Sequence, residues 1–216
     1  MSRRSSVNGQ TAGEEIFNSI SHGIGIGLSV AGLIILVVPS ALKGDSLKVF
    51  SFSIFGASLI LLYISSTLYH ALTNVRAKKI FRIFDHSAIY LLIAGTDTPY
   101  MLVSLGGFWG WSLFAVIWFT AALGIFIKSR YTGKFDTLST ILYLLMGWIL
   151  VLTYKQLAAS IPFMGIVWIF IGGAFYTFGI IFYFIDTRMP FSHSIWHLFV
   201  MGGSISFFFS MRLYIV

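Results

Sequence analysis

The chain has 216 residues, 57% hydrophobic and 10% charged, with a mean hydropathy of +0.90 and a formal net charge of +7. Soluble domains carry about 25% charged residues, so a soluble enzyme is excluded, and 22 Phe, 10 Tyr and 6 Trp exclude a disordered chain. The absence of cysteine rules out disulfides and thiolate ligands, and the 14 basic residues lie in short segments between apolar runs, which fits membrane topology rather than nucleic-acid binding.

A membrane-crossing helix needs about 20 mostly apolar residues. Stretches poor in Asp, Glu, Lys and Arg predict spans near 16–38, 49–71, 84–104, 108–128, 137–155, 162–185 and 191–212. The third and fourth share one run, interrupted only by Asp97, which the glycine-rich segment Gly106-Gly107-Phe108-Trp109-Gly110 divides. Connections are short, so neighbours run antiparallel and residues 14–216 form one all-α, integral-membrane bundle of seven helices. Residues 1–13 are expected to be a flexible polar tail. The run after them lacks the short length and cleavage site of a signal peptide, so the first helix is expected to stay. Gly23, Gly25 and Gly27 read as surfaces for close helix packing. There is no Walker loop, dinucleotide fingerprint or clear internal repeat.

Orientation follows from the basic residues. The N-terminus and the second, fourth and sixth connections carry 10 Lys and Arg, and the opposite side carries 4. The positive-inside rule then predicts a cytoplasmic N-terminus and a C-terminus outside.

Antiparallel threading brings polar residues from four helices to one leaflet. Glu15, Asn18 and His22 open the first helix, Ser66 and His70 close the second, Asp85 and His86 begin the third, and His193 and His197 begin the seventh. Ionisable groups inside a membrane are costly and are candidates for function. His193 and His197 are four apart, so both imidazoles face one way on a helix, and Ser66 and His70 share that spacing. Three His from two helices with a carboxylate nearby match a zinc site with three protein ligands and a fourth position open to water. Zinc would lower the pKa of that water from 15.7 to about 7, with Asp85 orienting it or taking its proton.

The segments EEIFNSISHG, SSTLYHAL, FDHSAIYLLIAGT and HSIWH together resemble the motifs of the haemolysin III branch of the progestin and adipoQ receptor superfamily, in order along the whole chain. The resemblance implies seven helices with a cytoplasmic N-terminus and a zinc ion held by His70, His193 and His197. It places Asp85 and Ser66 around the zinc-bound water, and Glu15, Asn18 and His22 in the family's first motif. Its relatives include adiponectin and steroid receptors, and the wider group includes ceramidases that cleave a lipid amide. Asp97 departs from the pattern, where the family more often has Tyr.

Plainer readings stand beside these. The histidines can be interfacial hydrogen-bonders, Asp85 can pair with Arg82, and Ser66 can bond back to its own helix. Glu15, Asn18 and His22 can form a polar helix start, with Glu15 favoured by the helix dipole. His86 is expected at the membrane surface. Asp97, about 18 Å beyond Asp85 at 1.5 Å per residue, is expected as a buried hydrogen-bonded group or a cavity residue. The leading functional expectation is a zinc-dependent hydrolase of lipid amides or esters in a bacterial cytoplasmic membrane, with membrane lipids as partners and an acyl lipid as substrate. The alternative is a lipid-responsive receptor with structural zinc. A cytolytic pore is disfavoured because no long basic amphipathic helix is present, and a transporter because no inverted repeat is visible.

Overall fold

The computed structural model describes residue 5 and residues 7–131, 134–186 and 188–216. Among them, seven helices are long and apolar enough to cross a membrane: Ala12–Leu42, Ser46–Ala71, Val75–Leu105, Gly107–Tyr131, Asp136–Ser160, Phe163–Phe184 and Ser192–Tyr214. The protein is an all-α, multi-pass membrane bundle. Large apolar side chains such as Ile20, Leu61, Phe119 and Phe178 are more than half exposed, which suits a surface solvated by lipid.

The third helix is the axis of the bundle. Its most apolar stretch is 72% buried, against 22% for the first and fourth helices, yet its hydropathy, 1.3, is with that of the seventh the lowest of the seven, against 2.3 for the first. A helix surrounded by protein can carry polar groups, whereas one facing lipid cannot leave them unpaired. The first three helices pack in succession, the sixth packs on the seventh, and the seventh returns to the first. The core is centred on Phe52, Phe55, Tyr90, Tyr100 and Met101.

Helix ends differ from the predicted bounds for local reasons. The third helix begins at Val75, nine residues before position 84, because the Asn74 side chain accepts from the Arg76 and Ala77 amides and starts the helix in the basic segment. Pro99 cannot donate to the helix ladder, and the last turn, Tyr100–Leu105, widens to a π-helix. Gly106 and Gly107, with φ of 60° and 51°, make the predicted turn. The fifth helix breaks after Gly147, with a 3-10 segment at Ile149–Thr153. There Trp148 Nε1 donates to Thr177 Oγ1 of the sixth helix at 3.0 Å.

The chain before the first helix is partly described. Residues 1–4 and 6 of the expected tail lie outside the described residues, while Gln10 is buried and Thr11 caps the helix. The capping carboxylate is Glu14, not Glu15. Of the three alternating glycines, only Gly25 serves close packing, since a Cβ there would meet the Tyr63 ring, while Gly23 and Gly27 have open space.

Candidate metal centre

The ends of the second and seventh helices bring His70, His193 and His197 together, with one ligand atom from each within 4.8 Å of the others. His70 and His197 are 3% and 2% exposed, so these are not interfacial side chains. The buried His70 Nε2 has no hydrogen-bond partner. Three neutral-capable imidazoles without thiolates form a donor set suited to zinc or another borderline transition metal. Metal–nitrogen distances of 2.0–2.1 Å in a tetrahedron put the nitrogens about 3.3 Å apart, so ligation requires a closure of at most about 1.5 Å. The donor set therefore fits a metal ion.

Each ring has an outer neighbour, the arrangement that fixes the tautomer and orientation of metal-binding histidines. His70 Nδ1 lies 2.7 Å from Glu15 Oε2. His193 Nδ1 is 3.5 Å from Asp186 Oδ2, and His197 Nδ1 is 3.5 Å from Ser21 Oγ. Nε2 is thus the nitrogen left for an ion on His70, His197 follows the same pattern more loosely, and His193 Nδ1 makes no hydrogen bond.

The first helix supplies one face of this network. Asn18 is fully buried, donates from Nδ2 to Gln10 Oε1 at 2.8 Å, and accepts at Oδ1 from Ser194 Oγ at 2.6 Å. His22 stacks on His197 with centroids 3.6 Å apart and planes 8° from parallel, and its other neighbour is Tyr63. Neither His22 nitrogen has a hydrogen-bond partner. These residues line the centre and do more than start a helix.

Asp85 is buried and faces Ser66 and His193. Ser66 Oγ approaches that carboxyl but falls outside hydrogen-bonding geometry, and it does not bond back to its own helix; Ser65 does, to Leu61 and Leu62. Arg82 reaches Asp136 at 4.0 Å. His86 is buried rather than at the membrane surface, with its carbonyl accepting from Tyr143 at 2.9 Å. Asp97 is also buried, and its Oδ2 has no partner, so the expected hydrogen bond to that oxygen is missing.

A cavity of about 70 Å³ opens from this centre. Its walls at the His level are His22, Asp85, His193 and His197, and farther along the helices they are Leu92, Ile93, Trp148 and Val200. At 1.5 Å per residue, Ile93 lies about 12 Å beyond Asp85 along the third helix. The cavity therefore runs from a polar floor toward the middle of the bundle.

The family described as haemolysin-III related matches residues 10–208. The chain belongs to the haemolysin III-related family. It is 46% identical over 206 residues to the hemolysin-3 homolog of Bacillus subtilis (strain 168), covering 95% of this chain and 96% of the relative. Similarity to hemolysin-3 of Bacillus cereus is 44% over 203 residues, covering 94% and 92%. The human monocyte to macrophage differentiation factor is 26% identical over 227 residues, covering 100% of this chain and 91% of that protein. No solved structure matches. The resemblance carried by the motifs of this haemolysin III-related chain thus extends to both bacterial and animal proteins.

Some contributors to the centre gave little sequence signal. Lys78, buried beside Glu15, reads as one more loop charge, although it lies seven residues before Asp85 and so on the same face of the third helix. Asp186 precedes the seventh helix, where no periodicity applies. Ser21 and Ser194 are short hydroxyls of ordinary composition.

Proposed function

We propose that the protein is a zinc-dependent hydrolase of lipid amides or esters, acting in a bacterial cytoplasmic membrane and so on membrane lipid composition. One observation carries this reading: two of the three converging imidazoles, His193 and His197, share one cavity with the buried Asp85 carboxylate and mainly apolar walls, and His70 completes the triad beside it. When bound, zinc supplies Lewis-acid polarisation of a carbonyl and an acidified water. Asp85 takes the proton from the attacking water and returns it to the departing amine or alcohol. Ser66 Oγ, which faces the Asp85 carboxyl and bonds to no other group, would orient it on closing to hydrogen-bonding distance. Leu92, Ile93 and Val200 hold the acyl chain and exclude bulk water from the reacting end.

The test supplies ceramide-like amides and acyl esters to the purified chain in detergent and follows free fatty acid. Release should stop with a chelator and return with added zinc. No release from any lipid class would overturn hydrolysis and favour a lipid-responsive receptor with a structural metal.

The charge asymmetry supports placing the N-terminus and the metal centre on the cytoplasmic side. A reporter fused after Val216 is accordingly expected to be active outside the cytoplasm. Activity confined to the cytoplasm would overturn that orientation.

A further inference from the structure

Lys78 contributes to the basic asymmetry of the sequence, yet the fold buries it to 4% exposure. Its Nζ lies 2.8 Å from Glu15 Oε1 and donates to the Tyr69 carbonyl at 2.9 Å and the His70 carbonyl at 3.5 Å. Those carbonyls belong to the last turn of the second helix, where the chain has run out of its own amide donors. Through its other oxygen Glu15 holds His70 Nδ1 at 2.7 Å. One ammonium therefore fixes both the backbone and, through Glu15, the ring of a metal-ligand candidate. Burying two charges is expensive even when they are paired, so stability alone gives a poor account of the arrangement.

The surroundings suggest a use. A groove of about 580 Å³ reaches this pair at the N-terminal end of the bundle, with Glu15, His70 and Lys78 in its wall and Gln10, Ser19 and Thr73 among apolar residues along its rim. The chamber on the other side of the histidines is far smaller, about 70 Å³, and is lined mainly by apolar side chains. An unpaired ion entering an apolar medium loses tens of kcal/mol of solvation in the limiting case. A hydrated divalent cation will not cross such a chamber. It can approach through the wider groove, which ends on a carboxylate touching a ligand histidine.

We propose that this groove is the route by which the metal ion reaches and leaves the three histidines, with the Glu15–Lys78 pair as its latch. The inference rests on the reading of His70, His193 and His197 as a metal site. Lys78 occupies the place on Glu15 that an arriving cation would contact first, and it keeps the His70 ring in register once the ion has passed. Removing the ammonium exposes the Glu15 charge to incoming metal and loosens His70, so exchange quickens in both directions. Narrowing the mouth of the groove slows both directions equally and leaves the equilibrium unchanged.

The experiment uses the full chain in detergent, Zn²⁺ alone as the probe, and a coloured chelator to follow loading and loss. Lys78→Met should exchange zinc about 10-fold faster or more. Thr73→Trp, at an exposed connection on the groove rim, should slow loading and loss several-fold with an unchanged dissociation constant. Glu15→Gln should weaken equilibrium binding by about 10–100-fold, the usual cost of losing a partner behind a ligand histidine. Wild-type exchange rates in both Lys78→Met and Thr73→Trp would overturn the route and the latch while leaving the metal site intact. A wild-type chain that binds no zinc at equilibrium would instead overturn the metal site on which the inference rests.

Discussion

His193→Ala combined with His197→Ala should reduce bound zinc from about one ion per chain to near none. The two rings lie one turn apart on the seventh helix, and their centroids are 4.8 Å apart. Removing both leaves His70 alone, and a single imidazole cannot close a tetrahedral site. The expected loss exceeds the roughly 10–100-fold change caused by disturbing an outer partner. Elemental analysis of the purified variant reads the result directly. His86→Ala is the matched control, because this buried histidine lines the same cavity but lies outside the converging set. Full occupancy in the double variant would refute the assignment, as would equal loss in the control.

Asp85→Asn should retain the fold and most of the metal while turnover of the lipid substrate falls by about 10²–10⁴-fold, the range for a positioned general acid or base. That is a barrier increase of about 2.7–5.4 kcal/mol, at 1.36 kcal/mol per decade. Asparagine preserves the shape and the contact with Ser66 but has no site for the water's proton. The measurement compares fatty acid release and metal content in the same preparation. Unchanged release would remove Asp85 from the reaction. Release and metal lost together would make it a support of the site rather than a base.

Long apolar runs were enough to predict all seven helices, and antiparallel threading predicted which ends meet. The i, i+4 spacing of His193 and His197 also survives in space, because both belong to one rigid helix. What the sequence hid depends on contacts between elements. Lys78 looks solvated because it stands in a basic segment, but Asn74 starts the third helix early enough to rotate it inward. Glu15 looks like a helix-start acid, yet Glu14 takes that role and frees its neighbour for His70. His86 sits one residue from Asp85 and was predicted at the surface. Packing of the fifth helix against the third covers it instead, through Tyr143.

The contact between Glu14 and Phe191 has a bearing on how the chain is assembled. Phe191 adopts a left-handed φ of 57° just before the seventh helix, a conformation that costs a non-glycine residue about 1–2 kcal/mol. Its amide is received by Glu14 Oε1, 2.8 Å away and 177 positions earlier in the chain. Together with the Asn18–Ser194 bond, this fastens the first segment synthesised to the last. The early helices can enter the bilayer and pair with their neighbours as they emerge, but two of the three candidate metal ligands arrive only with the seventh helix. Metal capture by the proposed site would therefore be a late event in biogenesis, and a chain cut short before residue 193 would leave His70 without its two proposed co-ligands however well its first six helices had inserted.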